Sequence, residues 1–208
     1  MKKYVFIISV LILAVIALTI MTATQGKKQA KAKIAVIDNI MGRTSVRAYQ
    51  ERQVEDEKIE ILLRAAMAAP SAANKQPWRF VVIRDKDTLK EIADSLHTMR
   101  MAAEAPLAIA VCGDMNATLP DDGLDYWVED ASAATENMLL AAHDIGLGAV
   151  WCGVYPMKDR VAYVSRLLNL PSYIIPLNIV PIGYPAETPE PKDKWDTSKI
   201  HYEEWGGQ

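Results

Sequence analysis

In the segment Arg43-Thr44-Ser45-Val46-Arg47-Ala48-Tyr49, two arginines stand four apart with a threonine and a serine between them. Two guanidinium forks and two hydroxyls on one turn suit a phosphate monoester, which takes bidentate cations and short donors. The bland alternative is an exposed helix start carrying surface arginines. A second cluster lies in AAMAAPSAANKQPWRFVVI, residues 65–83. Pro70 cannot continue a helical ladder. Ser71, Asn74 and Gln76 therefore project from a loop before Pro77-Trp78 fixes the entry into a strand. Side-chain amides offer donors and acceptors together, as needed to read a planar heterocycle that carries both. A plain capping turn would use the same residue types.

Several chemistries lack their signatures. No GxGxxG follows a strand, and Gly146-Leu147-Gly148 stands between a helix and a strand, the wrong order for a dinucleotide fold. There is no P-loop, GxSxG or HExxH, and His97, His143 and His201 show no ligand spacing, so no metal site is expected. A formal charge of −3 offers no basic face for nucleic acid. Cys112 and Cys152 each sit in an apolar, strand-like stretch. They are expected to be buried free thiols, with a single disulfide as the alternative.

The elements that must position these residues are readable by period. Helices are predicted over Glu57–Ala69, Thr88–Leu96 with Asp87 as its cap, Asp125–His143 with Gly146 just past its end, and Lys158–Leu168. Strands are predicted over Arg79–Ile83, Leu107–Cys112, Ala149–Gly153 and Leu177–Ile182. All four are continuous apolar runs, so they should be buried on both faces. The alternation argues for a layered α/β or α+β domain around one central sheet. With 50% hydrophobic residues, the chain can fill such a core. The small residues of Asp130-Ala131-Ser132-Ala133-Ala134-Thr135 suit close helix packing or a subunit interface. The closing IHYEEW is too irregular for the core, and its aromatics predict that it docks on something.

The N-terminus stands apart. Met1-Lys2-Lys3 precedes an apolar run from Val5 to Met21. The expected organisation is a signal or anchor segment over 1–24, a polar linker over 25–36 and a folded domain over 37–208. Lysines flank the run on both sides, so the expectation is a membrane-anchored or exported protein with the side of the membrane left open.

RTSVRAY near the domain start, PSAANKQPW after its first helix, GLGAVWCG entering a late strand and PIGYP after the last strand occur in that order. Together with the IHYEEW tail, this pattern resembles the FMN-dependent nitroreductase family over about residues 38–205. The resemblance implies an α+β fold, an α/β/α sandwich with a central mixed sheet, assembled as an intertwined homodimer. In this chain it would be preceded by an N-terminal hydrophobic helix. Two FMN molecules would sit at the dimer interface, each touched by both chains.

Residue by residue, the resemblance assigns the FMN phosphate and ribityl chain to Arg43, Ser45 and Arg47, with Thr44 between them. Pro70, Ser71, Ala72, Asn74 and Gln76 would read the flavin of the partner subunit. Main-chain N–H groups around Cys152 and Gly153 would face the flavin N5 side, and Lys192 and Lys194 would close the phosphate site. Thr44 departs from the pattern, since many relatives carry a second arginine there. The implied activity is a ping-pong transfer of two electrons from NAD(P)H, as co-substrate, to a small planar acceptor such as a quinone or nitroaromatic compound. The cofactor carries that chemistry, so no catalytic side chain is expected. A reading from another class is a membrane-tethered flavin-binding module with little or no NAD(P)H turnover.

Overall fold

The computed structural model describes residues 15–17, 19, 21 and 35–206. The chain divides into two compact units, Met1–Gly42 and Arg43–Gln208. Within the first unit the backbone is helical over 35–42. Val36, Ile37, Ile40 and Met41 are exposed there. The apolar run Val5–Met21 lies for the most part outside the described residues, as does most of the linker expected over 25–36. No helix among the described residues is long and apolar enough to cross a membrane. The expected membrane-anchored or exported placement is therefore not kept, and neither the N-terminal hydrophobic helix nor the membrane partner has support among the described residues.

The second unit is α+β. Its helices are α1 (Asp56–Met67), α2 (Lys86–Ser95), α3 (Tyr126–Asp144) and α4 (Lys158–Leu167). Its strands are β1 (Trp78–Ile83), β2 (Leu107–Asp114), β3 (Gly148–Ala149), β4 (Cys152–Gly153) and β5 (Ile174–Gly183). They form one sheet in the order β1-β2-β5-β3, with β4 also on β5. Every pairing is antiparallel, where a mixed sheet was expected.

Side-chain alternation along β2 divides the core. Leu107, Ile109 and Val111 join Ile59, Leu62 and Ala66 of α1 and Trp127, Ala131 and Met138 of α3 in one cluster. Ala108, Ala110 and Cys112 face the opposite way, toward Leu89 and Ile92 of α2 and Val164 of α4. The period of two in a strand thus places helices on both sheet faces. Strand β2 is buried throughout, as expected, but β1 is only partly covered: Arg79 is exposed and Phe80 and Val81 are half-buried. β1 pairs with β2 alone, which makes it an edge, and an edge strand meets water. A Cβ at Gly113 would come within 2.3 Å of the Trp127 ring, so only glycine lets α3 approach β2 this closely.

Two sequence boundaries move for physical reasons. The predicted strand 149–153 is two short strands, β3 and β4, interrupted opposite Pro181. Val150 N–H reaches Pro181 O at 3.4 Å, but proline has no N–H to return the bond. The cap of α2 is Asp85, whose carboxylate accepts from Thr88 N–H, and Asp87 lies inside the helix. Cys112 and Cys152 are both buried and free.

Candidate functional site

The arginine segment is irregular, not helical, with one isolated antiparallel bridge between Tyr49 and Pro185. Arg43, Thr44, Ser45 and Arg47 are therefore not gathered by a helical turn. Val46 N–H donates to Ala149 O at 3.1 Å, which sets the segment beside β3. Downstream, Gln50 N–H donates to Tyr184 O at 2.8 Å and Ala186 N–H to Ala48 O at 2.9 Å. The arginine segment thus forms a ribbon with the chain leaving β5. Tyr49 is buried beneath it and its hydroxyl lies within bonding distance of Val46 O and Pro181 O. Burial pushes that phenol far above its ordinary pKa, so it stays neutral.

This ribbon brings the two predicted cationic groups together. Arg43, Thr44, Ser45 and Arg47 line one cavity of about 430 Å³ with Lys192 and Lys194. Glu187, Pro189 and Glu190 complete the lining and were not foreseen from sequence. Four cationic side chains face two carboxylates, which leaves an excess of positive charge. Arg43 is also held by Glu136 of α3 at 3.4 Å. The place of Glu136 directly after the small-residue run 130–135 was the available signal for that contact.

Cys152 and Gly153 lie on β4. Burial pushes the Cys152 thiol up to about 11, against the pull of the Arg47 and Arg160 charges. The bond from Val46 N–H to Ala149 O sets the arginine segment beside Ala149, three residues before β4. Arg160 also donates to Gly153 O at 3.0 Å. A Cβ built on Gly153 meets nothing within 4 Å, so the space over this residue is open. A neutral thiol beside an open glycine offers main-chain polar groups and no nucleophile.

The third predicted group is elsewhere. Pro70, Ser71, Ala72, Asn74 and Gln76 form a loop after α1, and none of them lines the cavity. Helix α1 stops at Met67, before the proline. Within the loop, Gln76 N–H donates to Ser71 Oγ at 3.0 Å and Gln76 Nε2 to Asn74 Oδ1 at 2.8 Å. Ala73, Asn74 and Gln76 have φ of 47°, 56° and 51°. For residues with a Cβ this left-handed backbone costs roughly 1–2 kcal/mol apiece, and such strain gathers where a segment must hold a special shape. External bonds keep the loop there. Ala72 N–H donates to Asp130 Oδ1 of α3 at 2.8 Å. Arg79 donates to Gln76 O at 3.4 Å while paired with Asp114 at 2.7 Å.

The fold, the cationic cavity and the strained loop define a class of protein. The chain belongs to the nitroreductase family, whose model matches residues 40–99 and 96–184. A Methanothermobacter thermautotrophicus protein with the provisional name NADH dehydrogenase/NAD(P)H nitroreductase is 44% identical over 175 residues, spanning 84% of this chain and 90% of that one. The crystal structure of a Bacteroides thetaiotaomicron protein with the same provisional name is 46% identical with a TM-score of 0.77, covering 81% and 97% of the two chains. An FMN-dependent nitroreductase from Clostridium difficile is 32% identical with a TM-score of 0.74, covering 81% and 99%. The relatives are thus flavin oxidoreductases and nitroreductases that work with NAD(P)H.

Proposed function

We propose that this chain binds FMN and passes two electrons from NAD(P)H to a small planar acceptor, such as a quinone or nitroaromatic compound, in a ping-pong cycle. The observation that carries this is the convergence of Arg43, Thr44, Ser45, Arg47, Lys192 and Lys194 on one cavity. A phosphate monoester with close to two negative charges suits that positive excess. The open space within 4 Å of a Cβ at Gly153 favours a ring placed over that residue.

In this proposal Arg43 and Arg47 grip the phosphate through their forks, and the Thr44 and Ser45 hydroxyls donate to its remaining oxygens. Lys192 and Lys194 act as point charges that close the site. Main-chain N–H groups at Cys152 and Gly153 face the ring edge. Bound FMN would supply the redox chemistry, a two-electron transfer from reduced nicotinamide to the second substrate. The protein's part is to hold and orient the ring and to place positive charge where the reduced form is anionic.

The loop Pro70–Gln76 lies away from the cavity of its own chain, which supports its service to a second copy in a homodimer. Trp195 and Trp205 of the C-terminal segment are 74% and 89% exposed in the single chain, which favours the same assembly.

The test is a comparison of FMN with riboflavin, which lacks only the phosphate. The full chain should bind FMN roughly a hundredfold more tightly. Equal affinities would remove the cationic cavity from the account.

A further inference from the structure

The geometry points to Asp130 as a positioning residue that holds the Ser71–Gln76 loop in its ring-reading shape. This rests on the flavin binding proposed above. Asp130 lies in α3, on the buried side of the helix, and is 5% exposed. Its Oδ1 accepts from Ala72 N–H at 2.8 Å, the first N–H of the single turn Ala72–Asn74. Its Oδ2 is also buried and, among the described residues, has no hydrogen-bond partner.

A buried carboxylate with an unmatched oxygen is costly for a fold and is not explained by core packing. Its buried neighbours on that helix include Ala131 and Ala134, which a small apolar residue could continue without that cost. What the carboxylate does contribute is an anchor on a loop with three left-handed non-glycine residues in four positions, 73 to 76. The turn's own bonds, Asn74 N–H to Ser71 O and Lys75 N–H to Ala72 O, close it internally but do not tie it to the body of the protein. Asp130 makes that tie at the start of the loop, as Arg79 does at its end. The amides of Asn74 and Gln76 depend on both for their direction.

A double-mutant cycle tests this in the full chain. Asp130→Ala removes the acceptor. Ala72→Pro removes the donor from the other side, at a first-turn position that suits proline, after Ser71 with the extended φ −143°, ψ 154° that proline requires of its predecessor. Each variant should weaken FMN binding roughly tenfold, and the two together no more than either alone. Asp130→Asn keeps an acceptor oxygen and should restore affinity to within about threefold. A fall in thermal midpoint with unchanged FMN affinity would reduce Asp130 to an ordinary structural residue and overturn the proposal, as would independent effects in the cycle. Tryptic cleavage after the exposed Lys75, without added flavin, reads the tie itself. It should be faster in Asp130→Ala and Ala72→Pro than in wild type and Asp130→Asn, and equal rates would also overturn the proposal. If wild type binds no FMN yet shows the cleavage difference, the flavin assignment fails while the tie stands.

Discussion

The Glu187 carboxylate accepts from the main-chain N–H groups of both Arg47, at 2.6 Å, and Ala48, at 3.2 Å. One side chain after β5 thereby fixes the segment that begins the domain. The two walls of the cationic cavity are set by this contact and by the ribbon next to it. Its carboxylate also stands among the cations it helps to place, so charge and geometry make opposite predictions for its removal. Loss of a negative charge from an open, hydrated cavity favours a bound anion by about 1 kcal/mol or less. Release of two bonds to a charged acceptor costs about 1.5–3 kcal/mol each. Glu187→Ala is therefore expected to weaken FMN binding several-fold, measured by fluorescence titration, while tighter binding would show that charge prevails.

Arg43 joins the cavity to α3 through Glu136, which is half-exposed and remains hydrated if left alone. Arg43→Ala should cost about 0–1 kcal/mol of stability but lower FMN affinity roughly tenfold or more. Turnover per bound flavin should be unchanged, because the arginine lies at the phosphate and not at the reacting ring. Full occupancy with lost turnover would contradict that placement.

Gly153 separates folding from binding. Nothing stands within 4 Å of a Cβ at this position, and valine suits a strand. Gly153→Val should unfold within about 0.5 kcal/mol of wild type, yet lose most of its FMN affinity because its side chain enters the space assigned to the ring. Unaltered binding would move the ring away from β4.

A pH dependence follows from Glu55, whose carboxylate accepts from Tyr184 Oη at 2.6 Å and from Arg52 at 2.8 Å. The Tyr184 hydroxyl bond first, then the Glu55 backbone and Arg52 bonds, lower its pKa from an ordinary 4.5 to about 2. A depressed carboxylate pKa means stability that is present above 4.5 and is lost as pH falls through about 2. The group is solvent-exposed, so the effect is small. The difference in thermal midpoint between wild type and Glu55→Gln should be largest above pH 4.5 and close toward pH 2. A constant difference across that range would mean that the charge is not responsible.

Much of the layer structure was legible because its signals are periodic. The apolar face of α1 and the uninterrupted run of β2 specify their elements locally. Strand β5 was only partly legible, since its true start at Ile174 lies beyond Pro176, and proline argues against a central strand. The chain accommodates Pro176 next to a register shift opposite Val111 and Cys112. It accommodates Pro181 by breaking the neighbouring strand in two, an arrangement that no local pattern announces. The antiparallel direction of the sheet was likewise hidden, because alternating helices and strands suit parallel crossovers equally well.

The site divides the same way. Arg43, Ser45 and Arg47 were legible as charge and hydroxyl at regular spacing, and Lys192 and Lys194 only through the family pattern. Glu187 was not, because a carboxylate that bonds main-chain N–H groups 140 residues away has no sequence signature. Asp130 had one, a charge in a run of small buried residues, which reads as packing until its bond to Ala72 is seen.

The central claim is that the cavity and β4 hold a flavin reducible by nicotinamide. The most direct measurement is an anaerobic visible spectrum of the purified full chain loaded with FMN, before and after addition of NADH or NADPH. The account predicts flavin bands that bleach on addition and return when a quinone is supplied. Bands that persist with both nicotinamides, or a chain that takes up no FMN, would contradict it.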